Sequence, residues 1–125
     1  KLQLRAGRLR RAGRQPEIGR YGHIKTQCPP TLRLPIFLAT KLIEQRVAAC
    51  VNILAPCLSI YRWEGKLEEA EEVPLLIKTS AARYAALEEA IRAYHPYELP
   101  EIVAVRVEKG LPDYLAWVAA STAAQ

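Results

Sequence analysis

Groups able to do chemistry gather in one seven-residue stretch, His95-Pro96-Tyr97-Glu98-Leu99-Pro100-Glu101, which holds one of only two histidines in the chain, a tyrosine and two carboxylates. An imidazole beside a phenol and carboxylates can ligate a metal, exchange protons or bind a polar ligand. Pro96 and Pro100 push His95 and Leu99 out of helical geometry. The stretch is therefore a stiff, extended connector that presents its side chains in set directions. The same residues serve equally well as a rigid joint, with His95 closing a helix and Glu98 opening a strand.

The other soft donors are Cys28, Cys50 and Cys57. Cu(I) favours thiolate and imidazole, while Cu(II) favours imidazole and carboxylate. If Cys28 ends a first strand and His95 ends a second helix, the two approach one another, and they are the candidate metal donors. Cys50 and Cys57 fall inside a strand pattern and read as buried packing thiols. An odd number of cysteines without framework spacing suits a reducing compartment, the cytoplasm. Lys78, His95, Tyr97 and Glu98 could support acid–base chemistry. However, the chain has no activated-nucleophile constellation and no phosphate-cradling glycine loop. It reads as a non-enzyme without an organic cofactor.

The elements that must position these groups belong to one domain. A chain of 125 residues, half of them apolar, buries roughly two-thirds of its unfolded surface. No apolar run approaches the roughly 20 residues needed to span a bilayer. The net charge of +5 is unevenly spread. Residues 1–25 hold eight Lys or Arg against the single acid Glu17, whereas residues 26–125 hold ten basic and twelve acidic side chains. The basic character thus lies in a leading arm, residues 1–20, read as disordered for want of apolar periodicity. No specific nucleic-acid partner is expected of the mildly acidic domain, residues 21–125.

Within that domain, residues 21–27 make a first strand, a poor one given Gly22 and Lys25. Leu38, Leu42 and Ile43 predict a helix over 34–46, with Pro35 in its first turn. Val47 to Trp63 is a long strand that must bend or bulge at Pro56. Trp63-Glu64-Gly65-Lys66 is a turn in which Gly65 takes positive φ. Leu67 to Thr79 returns as a second long strand with an acidic run, Glu68, Glu69, Glu71 and Glu72, read as a solvated face near the tip. Ser80 is placed to cap a helix over 81–94 whose stripe is Tyr84, Leu87, Ile91 and Tyr94. After the connector come a strand over 102–107 and a short helix whose apolar side is Leu111, Tyr114, Leu115 and Val118.

The order β-α-β-β-α-β is the ferredoxin-like, α+β arrangement, here with a long β-hairpin and a C-terminal helix. Both long helices fall on one sheet face. The other face stays open, which calls for a partner. The hairpin also overshoots a four-stranded sheet.

Five segments carry a resemblance: Ala48-Ala49-Cys50-Val51-Asn52, Ser59 to Lys66, Leu76-Ile77-Lys78-Thr79, His95 to Glu101, and Pro112-Asp113-Tyr114-Leu115-Ala116-Trp117. In type, order and spacing they resemble the CutA family of divalent-cation tolerance proteins. The resemblance implies a cytoplasmic homotrimer in which long hairpins extend neighbouring sheets, with a link to copper and other divalent cations. It also implies copper ligation by a histidine pair in the connector with a first-strand thiol. Here Tyr94 stands at the first histidine position and Thr26 near the thiol position, so His95 alone carries over. The region from Gly22 to Pro35 departs from the family pattern except at Cys28-Pro29. A second implication comes from trimers of the PII type, which bind small molecules in clefts between subunits. Tyr61, Trp63, Lys78, Tyr97 and Glu98 would line such a cleft, or else pack the subunit interface.

Overall fold

The computed structural model describes residues 21–31 and 33–124, so the leading arm, residues 1–20, lies outside the described residues. Five strands and three α-helices follow: β1 (Tyr21–Cys28), α1 (Leu34–Glu44), β2 (Cys50–Ile53), β3 (Cys57–Trp63), β4 (Lys66–Ser80), α2 (Tyr84–Tyr94), β5 (Ile102–Arg106) and α3 (Pro112–Ser121). The sheet order is β2-β4-β1-β5, and β3 adds to β4 beyond β2. All pairings are antiparallel. This is the ferredoxin-like arrangement with its second strand split in two.

The first strand is regular and central, flanked by β4 and β5. Strict alternation explains why Gly22 and Lys25 do not spoil it. Ile24, Thr26 and Cys28 are fully buried on the helix side, while His23, Lys25 and Gln27 face the other way. Leu75 and Ile77 of β4, Ala104 of β5, Leu38 and Leu42 of α1, and Tyr84, Leu87 and Ile91 of α2 complete one core on that side. Each fully buried side chain of this size contributes roughly 1.5–3 kcal/mol. Ile43 turns outward although it lies within α1, because it stands about 100° round the helix from Leu42, at the margin of the buried stripe Pro35, Leu38, Ala39 and Leu42.

The ends of α1 have identifiable causes. Pro35 sits in its first turn. At the other end Arg46 takes φ 57°, the Arg46 amide donates to the Ile43 carbonyl and the Val47 amide to the Leu42 carbonyl. That is a Schellman ending with arginine in the position glycine usually holds. Ser80 does not cap α2. A short 3-10 turn, Ala81–Arg83, intervenes, and the Ser80 hydroxyl instead receives the Thr122 hydroxyl at 3.4 Å. His95 closes α2 at ψ 134°, the extended geometry that Pro96 imposes.

Two prolines make the joint in the hairpin. Pro56 lies in the gap between β2 and β3. Opposite it, the Pro74 carbonyl accepts from the Leu54 amide at 3.0 Å. The N–H and C=O of one strand residue point to the same side, so the donor Pro74 lacks falls at the gap and costs no ladder bond. Beyond the joint, β3 pairs only with β4 among the described residues, and Leu58, Ile60 and Leu67 are 63%, 63% and 73% exposed. α3 packs against the Ser80 end of β4 through Val118 and Thr122. Of the rest of its apolar side, Leu111 and Tyr114 are exposed, as is Trp117, because no described residue covers them. Among the described residues no helix is long and apolar enough to cross a membrane.

Candidate functional site

The connector folds back onto the ends of β1 and the middle of β4, and a circuit of polar contacts holds it there. His95 is 7% exposed. Its Nε2 lies 2.6 Å from the Gln27 carbonyl oxygen, and its Nδ1 accepts the Tyr97 amide at 3.1 Å. Nδ1 is thus the unprotonated nitrogen and Nε2–H the donor, a neutral imidazole with both nitrogens engaged. The Gln27 amide nitrogen donates to Glu72 at 2.9 Å. The Tyr97 phenol is directed at the same carboxylate. Gln27, His95, Tyr97 and Glu72 therefore close on one another, tying β1, β4 and the connector together.

Burial and this carboxylate set the protonation of the neighbours. Burial first, then Glu72, push the Tyr97 phenol up to about 12, with smaller contributions from Tyr61 and Cys28. Burial and then Glu72 push the Cys28 thiol up to about 11. At neutral pH both groups keep their protons. Cys28 belongs to the core, one residue beyond the carbonyl that His95 grips. In this conformation the unprotonated His95 nitrogen already accepts the Tyr97 amide and the Cys28 thiol keeps its proton, so neither offers a metal a free donor. Among the described residues no group of three or more His, Cys, Asp and Glu side chains is placed to hold a metal ion.

Of the residues expected in a ligand cleft, Tyr97 reaches Glu72 and feels the Tyr61 phenol, while Tyr61 itself pairs with Glu68 across the hairpin. The others stand apart within one chain. Glu98 is exposed on the connector. Trp63 pairs with Lys66 at the hairpin tip. Lys78 lies six residues from Glu72 along β4, roughly 20 Å away at about 3.3 Å per residue. There it forms a second polar group on the open sheet face. The register aligns Cys50, Lys78, His23 and Val105 across four strands, and the Lys78 amine donates to Asn52. The neighbouring Lys25 pairs with Glu101 at 3.3 Å. The His23 Nε2 is buried and has no hydrogen-bond partner among the described residues.

Glu72 and Gln27 are the residues the sequence reading missed. Glu72 is not part of a solvated tip. It is 4% exposed and sits at the base of the overhang. The available signal was its place against the apolar run Val73 to Ile77, where the hairpin enters the sheet. Nor are Cys50 and Cys57 buried thiols: Cys50 is half-buried, paired with Lys78 on the open sheet face, and Cys57 is exposed because β3 hangs beyond the helix layer.

The sequence model of the CutA1 divalent ion tolerance protein family matches residues 36–121. A CutA homolog of Xenopus laevis is 48% identical over 81 residues, covering 65% of this chain and 54% of that protein. A divalent-cation tolerance protein CutA of Thermus thermophilus is 45% identical over 85 residues, 68% of this chain and 82% of that one. The chain thus spans about half the length of the Xenopus relative. The solved divalent cation tolerance protein of Thermus thermophilus superposes with a TM-score of 0.79 at 38% identity, over 82% of this chain and 99% of that chain. The PII-like protein CutA from Nostoc superposes at 0.76 and 34% identity, over 83% and 99%.

Proposed function

The chain belongs to the CutA1 divalent ion tolerance family, and from that premise we propose that it acts in divalent-cation tolerance as a non-enzymatic homotrimer in a reducing compartment, the cytoplasm. The observation that carries this is the family match across residues 36–121 together with the same fold in solved relatives. The overhanging hairpin, with exposed Leu58, Ile60 and Leu67 and an outer edge of β3 unpaired among the described residues, supports assembly. Three free thiols suit the compartment.

Divalent ions, copper among them, are the cargo of this reading. His95 serves it as a structural pin: its two ring nitrogens hold Gln27 and Tyr97. Copper titration by calorimetry of the wild type and of His95→Ala tests this. The expected result is copper affinity changed by less than tenfold with a less stable fold. A loss of tenfold or more, about 1.4 kcal/mol, at unchanged stability makes His95 a metal ligand instead.

A second reading, a small-molecule site of the PII type, is favoured by one specific feature: a buried carboxylate, Glu72, to which the connector brings the Tyr97 phenol.

A further inference from the structure

On the helix side of the sheet, a cleft of about 330 Å³ lies between α2 and the turn that leads from α1 towards β2. That is the small end of the range for ligand sites. Its floor is apolar and short: Val47, Ala86 and Ala90. Successive helix residues stand about 100° apart, so Ala86, Ala90 and Ala93 share one stripe of α2. By the same count Arg83 and Tyr94 fall along one margin of that stripe and Glu89 along the other. All three line the cleft.

The polar groups there are held in place but not used up. Arg83 Nε donates to the Arg46 carbonyl at 3.4 Å, which leaves the outer edge of the guanidinium fork without a partner among the described residues. The Gln45 amide nitrogen donates to the Tyr94 hydroxyl at 2.6 Å. The tyrosine's own proton and the Gln45 side-chain carbonyl oxygen remain for a ligand. Among the described residues Glu89 forms no ion pair; the pairs seen are Lys25 with Glu101 and Lys41 with Glu44. One cleft thus carries an open cation on one margin, an open anion on the other, and a donor and an acceptor besides. From this we infer that it binds a small zwitterion of dipeptide size, with its carboxylate on the Arg83 fork and its ammonium group on Glu89. The guanidinium offers parallel N–H donors that match a carboxylate. A simple anion would leave Glu89 unmatched, and a simple cation would leave Arg83 unmatched. A peptide group between the poles supplies a carbonyl for the Tyr94 hydroxyl and an N–H for Gln45. The alanine stripe suits a ligand with small side chains. The inference goes beyond the tolerance reading and shares no residue with the circuit around His95.

The test is a nuclear magnetic resonance titration of the isotope-labelled full chain with L-alanyl-L-alanine, its N-acetyl derivative and its C-terminal amide, at constant ionic strength. Saturable shifts of the Ala86, Ala90 and Ala93 amides are expected with the free dipeptide. Blocking either pole should weaken binding tenfold or more. Arg83→Gln should weaken the free dipeptide to a similar extent and leave the amide derivative nearly unaffected; Glu89→Gln should do the same for the acetyl derivative. Glu89 is exposed, so Glu89→Gln stays informative if Arg83→Gln does not fold. No saturable shift at these amides overturns the inference, as does equal affinity in the wild type and both variants. Shifts confined to the surroundings of His95 and Glu72 would move the ligand to the other site and likewise overturn it. An acetyl derivative that binds as tightly as the free dipeptide overturns the zwitterion class. Dipeptide binding without divalent-cation binding would sink the tolerance reading and leave this inference standing.

Discussion

His23 is the side chain whose protonation bears most directly on stability. Burial first, and the Lys78 charge second, hold its pKa below the ordinary 6.5. The unfolded chain then binds a proton more readily than the folded one, so stability rises with pH through this window. It should fall as pH drops from about 6.5 towards the depressed folded value. Melting temperatures between pH 7.5 and 5 are expected to decline for the wild type and to decline less for His23→Gln; parallel curves would remove His23 from the account. Cys28 makes a second forecast at this scale. A thiol in the core with a pKa pushed up to about 11 has little thiolate at pH 8. Ellman's reagent should leave Cys28 unmodified in the native protein and label it on unfolding. Native labelling of Cys28 at the rate of a free thiol would contradict its placement.

At the scale of elements, the hairpin turn is the most exposed piece of backbone chemistry. Glu64 and Gly65 take φ 49° and 79°, both left-handed, between the paired Trp63 and Lys66. A two-residue turn of this kind matches the strand twist and favours Asn-Gly. A Cβ on Gly65 would meet nothing within 4 Å, so Gly65→Ala pays only the conformational cost. Urea unfolding should show a loss of about 1 kcal/mol for Gly65→Ala and a gain of a few tenths for Glu64→Asn. No change in either variant would mean that the tip does not report on global unfolding. Further down the same hairpin, Pro56 and Pro74 confine the break in pairing to one joint. The segment below it therefore joins the sheet and the segment above it hangs free.

At the scale of the molecule, the overhang and the exposed Tyr114 and Trp117 of α3 are apolar surface that one chain leaves in water. Obligate interfaces typically bury more than about 2,000 Å² and are rich in such groups. Sedimentation velocity at nanomolar concentration should show a species of about three times the 14.0 kDa chain. Leu58→Lys with Ile60→Lys, both on exposed strand positions, should shift it towards the monomer. A wild type that sediments as a monomer rejects the trimer.

What the sequence determined by itself was the succession of elements and the family. Period-2 and period-3.6 patterns, with prolines at 35, 56, 74, 96 and 112, are local features, and local features place strands, helices and joints. They were enough for the β-α-β-β-α-β order and for His95 leaving its helix in extended geometry. The site was legible only in part: His95 and Tyr97 stood out by type, but Glu72 looked like one acid among four. Its burial depends on Gln27, 45 residues away, and the fate of His95 on a carbonyl 68 residues away. Such partners are chosen by strand register, and register is a property of the assembled sheet. The tertiary structure therefore decided what the residue types could not: which carboxylate loses its water, which imidazole lone pair is already spent, and which thiol keeps its proton.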